Sequence, residues 1–171
     1  MILEILEFPD ERLRQVSAPV TTFDAELKTL VDSMFETMYD APGVGLAAIQ
    51  VNRPLRLMVI DTQPEGRPQP LVFINPELIG GEGKVSWEEG CLSVPDFTAP
   101  VERKERITVR AQDVHGESFT MDADDLLAIA IQHETDHLNG VLFVDHLSRL
   151  RRQMFLKRLK KLHGKDIPLR A

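Results

Sequence analysis

His133 and His137 stand four residues apart in Gln132-His133-Glu134-Thr135-Asp136-His137 and are the side chains of this sequence best spaced to do chemistry. On an α-helix, positions i and i+4 share one face, so both imidazoles can hold a single metal ion. Glu134 lies about 100° round the helix from His133, beside such an ion but not required as a ligand. That is where a general base for a water on the metal belongs. Leu126, Leu127, Ile129, Ala130 and Ile131 make the segment apolar nearly all round, which predicts the histidines in the interior. Asp124-Asp125 suits the positive start of a helix, and Asn139-Gly140 supplies its stop.

Two histidines do not complete a site, so the rest of the chain must supply a third ligand. The one cysteine, Cys91, precedes His133 by 42 residues. A thiolate is a strong soft ligand, and two histidines plus one cysteine leave a fourth position open for water, as catalysis requires. Many lone cysteines are simply small core hydrophobes. Glu89-Gly90 before Cys91 and Ser93 after it are poor core neighbours, which favours the ligand.

The elements that must position these groups come from a chain of 171 residues, 43% hydrophobic, enough for one globular domain spanning 1–171. A single cysteine excludes an internal disulfide and fits a reducing cytoplasm. Met1-Ile2-Leu3-Glu4 does not resemble a secretory signal, and no apolar run approaches a membrane span. From Arg149 onward nine Lys or Arg face one acid, leaving eleven against 26 in residues 1–148. So acidic a body is a poor nucleic-acid binder, but the basic segment 147–171 is a candidate local one.

Along the chain, Ile2 to Phe8 is a short apolar segment, and Leu27, Leu30, Val31, Met34, Phe35 and Met38 predict an amphipathic helix over Asp24 to Met38. Gly43-Val44-Gly45-Leu46-Ala47-Ala48-Ile49-Gln50 is not a dinucleotide loop. Ala48 stands where a third glycine is needed, and a helix precedes it where that motif needs a strand. Close approach of backbone to a ligand explains its glycines better. Leu55 to Ile60 and Leu71 to Ile74 read as strands, and Ile107 to Ala111 pairs with Phe119 to Met121 across His115-Gly116. Val141 to Val144 reads as one more short strand and Leu147 to Leu162 as a final helix, with Leu147, Leu150, Met154, Leu159 and Leu162 along one face.

In order and spacing, Gly43 to Gln50, Glu89-Gly90-Cys91-Leu92-Ser93 and Gln132 to His137 resemble the three signature motifs of the peptide deformylase family, and the resemblance covers essentially the whole chain. It implies an α+β fold, with antiparallel β-sheets packed around the central metal-binding helix and a C-terminal helix after it. It also implies a metal-dependent hydrolase that removes the N-formyl group from the N-terminal formyl-methionine of newly made proteins, releasing formate. Carried over, Cys91, His133 and His137 hold the metal and Glu134 is the general acid/base. Gln50 and the backbone N–H of Leu92 face the oxyanion. Gly45 bonds the substrate backbone, while Val44, Trp87, Leu126, Ile129 and Ala130 form the methionine pocket. The implied cofactor is one divalent ion, Fe²⁺, with Zn²⁺, Ni²⁺ or Co²⁺ as substitutes in preparations. The implied partners are formyl-methionyl nascent peptides and the ribosome, met through the C-terminal helix, with no membrane or DNA partner.

Thr98 departs from the arginine that many bacterial members place seven residues after the cysteine, which puts the outer peptide grip in question. Asp136 is a candidate support for a ligand, and Arg103 a candidate partner for Glu89. Two rival functions remain. An HExxH metallopeptidase would need a downstream ligand, for which only His146 and His163 are on offer, and it leaves Cys91 and Gln50 unexplained. A structural metal or binding module would need a fourth protein ligand, and none suggests itself.

Overall fold

Leu57, Met58, Val59 and Ile60 are all fully buried, and the strand they form (β2, Leu57–Ile60) explains the layers of the fold. Successive side chains on a strand point to opposite faces. Met58 and Ile60 therefore join one apolar cluster and Leu57 and Val59 another. A strand buried on both faces must have a helix on each side, and it does in this computed structural model, which describes residues 1–170.

The central sheet is antiparallel, in the order β1 (Gly45–Ala47), β2, β3 (Leu71–Glu82), β6 (Arg106–Gln112), β7 (Ser118–Ala123). On one face lies α2 (Asp125–Leu138), which buries Ala128, Ala130, Ile131 and Leu138 against Met58, Ile60, Phe73 and Val109. On the other lies α1 (Ala25–Asp40), burying Leu27, Val31, Met34 and Met38 at 3–4 spacing. The Asp24 side chain caps α1, accepting the Leu27 N–H at 3.0 Å.

A separate two-stranded sheet pairs β4 (Val85–Cys91) with β5 (Val94–Arg103). It packs on α3 (Arg149–His163) in a third cluster that includes Val94, Val101, Phe143, Phe155 and Leu159. Its register shifts between Glu89 and Cys91: Gly90 alone on β4 faces Pro95 to Thr98 on β5, so the extra residues belong to β5. Such irregularities bend the pair and end regular pairing, and Cys91 follows this one at the end of β4.

Three local expectations are corrected. Val141 to Val144 is not a strand: Phe143–His146 is a 3₁₀ turn, with the Asp145 side chain accepting the Leu142 N–H at 3.0 Å. Leu142, Phe143 and Val144 are buried in succession, which a run of apolar residues signals equally for strand or turn. The strand begun at Leu71 does not stop at Ile74 but runs to Glu82, its later half exposed and so without an apolar signal. On α3 the buried residues are Phe155 and Leu159, while Leu150, Met154 and Leu162 of the expected face are exposed.

Candidate metal centre and active site

The side chains of Cys91, His133 and His137 turn one donor atom each to a common point, all within 4.8 Å of one another. Cys91 Sγ lies 3.4 Å from His137 Nε2, which lies 3.2 Å from His133 Nε2. Both histidines are buried on α2, His137 completely. His133 Nδ1 faces Glu89 Oε1 at 2.9 Å, so a proton is held on that nitrogen and Nε2 is the atom turned to the cluster.

This donor set suits a divalent cation. Burial lowers the pKa of His133, yet Glu134, Cys91 and Glu89 more than offset it and hold the ring well above its ordinary range. Burial and the charge on His133 drive His137 well below. The site thus draws in a positive charge, which a proton supplies when no ion does, and one thiol with two imidazoles is the ligand set of a soft or borderline ion. His146 and His163 stand apart. His146 Nε2 lies 2.9 Å from Asp136 Oδ2, and His163 is exposed at the end of α3, which removes the ligands a metallopeptidase would need.

Glu89 is held from behind. Arg103, 7% exposed, grips it with Nε at 2.7 Å and Nη2 at 2.9 Å, while its Nη1 donates to Asp136 at 2.7 Å. Burial would raise the Glu89 pKa, but Arg103 and His133 outweigh it and hold it down at about 2. Asp136 and Arg103 are therefore part of one ionic network that fixes the ring of His133. Gln132 adds a second tie from α2 to the hairpin, accepting the Lys104 N–H and donating to its carbonyl, both at 2.9 Å.

Gln50 sits in a 3₁₀ turn, Ala48–Val51, directly after β1. Its Oε1 accepts the Ala47 N–H at 2.9 Å, which leaves only the NH₂ end to face the site. That Nε2 lies 3.0 Å from Ser93 Oγ and 3.6 Å from Cys91 Sγ. Leu92, at the hairpin tip, lines the same cleft. Glu134 is buried beside His133 Nε2 at 3.9 Å, and its Oε1 has no hydrogen-bond partner among the described residues. Burial, opposed by the His133 charge, pushes its pKa up to about 7.

The glycines of the Gly43 motif have a packing reason that sequence alone does not supply. A Cβ on Gly45 would meet Glu134 Oε2 at 2.6 Å, and one on Gly43 would meet Leu92 Cδ1 at 2.7 Å. Gly45→Ala is expected to keep the fold but displace the Glu134 carboxylate, lowering kcat/KM by roughly 10²-fold, as misplacing a catalytic group by about 1 Å does. Steady-state kinetics beside a thermal melt check this; a normal rate would show that Glu134 has room to move.

These groups open into a cleft of about 770 Å³. Val44, Gly45, Trp87, Leu126, Ile129 and Ala130 all line it, as do Gln50, Cys91, Leu92, His133 and Glu134. Ile5 and Glu7 line it too, contributed by an N-terminal segment in which the sequence shows nothing but a short apolar run. Leu6 N–H donates to the Gln50 carbonyl and Phe8 N–H to that of Ser93, both at 2.7 Å, which carries this segment across both motifs.

Known proteins resemble this chain in sequence and in fold. The family model for polypeptide deformylase matches residues 2–153. Peptide deformylase 1 of Shewanella oneidensis is 54% identical over 165 residues, covering 96% of this chain and 98% of its own. A crystal structure of a peptide deformylase from Legionella pneumophila superposes with a TM-score of 0.87 at 48% identity, covering 98% of this chain and all of the other. The peptide deformylase of Ehrlichia chaffeensis in complex with actinonin gives the same TM-score at 38% identity, over 95% of this chain and 98% of that one.

Proposed function

The chain belongs to the polypeptide deformylase family, and we propose how its residues divide the removal of an N-formyl group, released as formate, from the formyl-methionine that begins a newly made protein. Cys91, His133 and His137 would hold one divalent ion. When bound, that ion supplies Lewis acidity and brings the pKa of a coordinated water down towards ~7. Glu134 accepts the proton of the attacking water and returns it to the leaving amine. Gln50 Nε2–H and the Leu92 N–H donate to the formyl oxygen as it becomes negative; losing one such donor typically costs roughly 10²–10³ in rate. Gly45 pairs with the peptide backbone, and Val44, Trp87, Leu126, Ile129 and Ala130 enclose the methionine side chain.

The observation that carries this reading is the convergence of three ligand atoms, one unpaired buried carboxylate and one locked amide on a single cleft. Formate release from a formyl-Met-Ala peptide, measured beside its acetyl-Met-Ala counterpart on protein loaded with Fe²⁺, tests it. Turnover of the formyl peptide alone is expected; equal turnover of both, or of neither, would overturn it. Fe²⁺ is the native ion in this reading, and activity that decays in air in the iron form but persists in the zinc form would support it.

The compartment in this reading is the cytoplasm, where nascent chains emerge and a free thiolate stays reduced. No helix among the described residues is long and apolar enough to cross a membrane. The exposed basic side chains of α3 suit an encounter with the ribosome. Deleting α3 would strip Phe155 and Leu159 from the third core cluster, so neutralising charge is the cleaner test. Arg151, Lys157, Arg158 and Lys161 changed together to Gln should abolish salt-sensitive co-sedimentation with ribosomes and spare peptide turnover. For every phosphate that is no longer neutralised, the log–log salt slope should flatten by about 0.9.

A further inference from the structure

Asp61 is a buried acid that the chemistry of the cleft does not use. It forms no ion pair among the described residues, and three donors satisfy it instead: the Tyr39 hydroxyl, the Gln63 N–H at 2.9 Å and the Gln69 N–H at 3.0 Å. Burial would raise its pKa, but these donors outweigh it and hold the carboxyl below the usual carboxylate range. Burial and the Asp61 charge push the Tyr39 pKa up to about 12, so the hydroxyl keeps the proton it donates. Tyr39 stands in the last turn of α1 and Asp61 directly after β2, while the two N–H groups belong to the loop that joins β2 to β3. One carboxylate thus ties a helix, a strand end and a loop together.

The backbone of the same residue supports the edge of the cleft. β1 is the outermost strand of the central sheet, and the Asp61 N–H donates to the Val44 carbonyl at 2.8 Å, one position beyond the pairing of Gly45 with Ile60. In an antiparallel ladder, hydrogen-bonded and non-bonded pairs alternate. Val44 with Asp61 is a bonded pair, so Gly45 with Ile60 is not, and the Gly45 N–H and carbonyl face the open edge. Ala47 shows the same alternation two residues on: its N–H turns from β2 and is taken by the Gln50 side chain. The rung at Asp61 is therefore the last one beside Gly45, the residue that pairs with the substrate backbone in the deformylase reading.

We propose that Tyr39 and Asp61 are positioning residues for substrate: together they hold the Val44-Gly45 edge in register to accept the peptide backbone as an added strand. This rests on the deformylase reading of the cleft. Neither side chain lines the cleft, so the Tyr39 hydroxyl acts only through the rung it steadies. Losing it should loosen the peptide in ground and transition state alike, which raises KM and leaves kcat in place. The worth of one hydrogen bond sets the rise at about three- to tenfold.

The test sets Tyr39→Phe, Asp61→Ala and Asp61→Asn beside wild type, all loaded with Fe²⁺, on formyl-Met-Ala-Ala. Tyr39→Phe and Asp61→Ala should raise KM, with kcat and metal content unchanged. Asp61→Asn should stay close to wild type, because its Oδ1 still accepts both loop N–H groups and its amide can donate to the Tyr39 oxygen. Exchange of the Asp61 N–H with deuterium, slowed by its bond to Val44, should quicken in Tyr39→Phe even without substrate. A wild-type KM in Tyr39→Phe, a fall in kcat without a rise in KM, or Asp61→Asn as impaired as Asp61→Ala would overturn the proposal. Tyr39→Phe carries the test if Asp61→Ala does not fold. Failure of wild type to turn over formyl-Met-Ala-Ala would instead overturn the deformylase reading, and exchange at Asp61 would then decide whether Tyr39 steadies the edge.

Discussion

Replacing Glu134 with glutamine is expected to lower turnover by at least ~10²-fold while bound metal stays at the wild-type level. Glutamine matches glutamate in shape and keeps the packing against Gly45, but its neutral amide cannot take up a proton. The side chain is buried with one oxygen unpaired, so the substitution breaks no hydrogen bond at that oxygen. A second signature separates proton transfer from mere packing. Only the carboxylate form accepts a proton, so wild-type kcat/KM should rise with pH through the Glu134 pKa. That pKa is about 7 from the protein's own groups, and a bound cation lowers it. The acid limb should disappear from the residual activity of the variant. A wild-type rate, or an unaltered acid limb, would remove Glu134 from the role.

Arg103→Met is expected to cost about 3–5 kcal/mol of stability, because it leaves the Glu89 and Asp136 carboxylates without their shared cation in a largely buried place. For a chain of this length that lowers the thermal midpoint by roughly 10 °C. The same change frees Glu89, which orients the His133 ring, so metal affinity should fall by about 10–100-fold. Adding Glu89→Gln should recover part of the lost stability, since the buried charge goes with it, but should not restore metal affinity. Calorimetry and metal titration of the single and double variants give both numbers. A single variant that melts like wild type would mean that water reaches the two carboxylates freely.

The parts of the site that are legible in the sequence are those where chemistry and local geometry coincide. His133 and His137 share a helix face because of their spacing, and Cys91 stands out by being alone. What stays hidden depends on partners distant in sequence. β4 is hard to read because Glu88-Glu89-Gly90 does not alternate apolar with polar, and β5 because Pro95 and Pro100 interrupt the alternation of Phe97, Ala99 and Val101. Glu89 nonetheless points inward, since Arg103 fourteen residues later balances it. No periodicity announces a buried ion pair. Gly45 looks like a place for a ligand to approach, yet the nearest group to its missing Cβ is the Glu134 carboxylate from another element. On the last helix Leu150 and Leu159 are nine residues apart, about 180° round the axis, so the side that buries Phe155 and Leu159 leaves Leu150 in solvent. The short run at Val141 misleads for the simplest reason: four apolar residues fit a strand and a turn equally well.

The bond from the Ala47 N–H to the Gln50 side chain has a consequence for when freedom is lost. A free glutamine side chain gives up roughly 1.5–2 kcal/mol of rotamer entropy when it is fixed in place. Here that loss falls on the folding equilibrium, where the 3₁₀ turn closes its ring with the amide already turned outward. In the role proposed for Gln50, each arriving substrate would meet a donor with no conformations left to surrender. Were the Ala47 N–H bonded elsewhere, the same ordering would recur in every catalytic cycle and would slow each one.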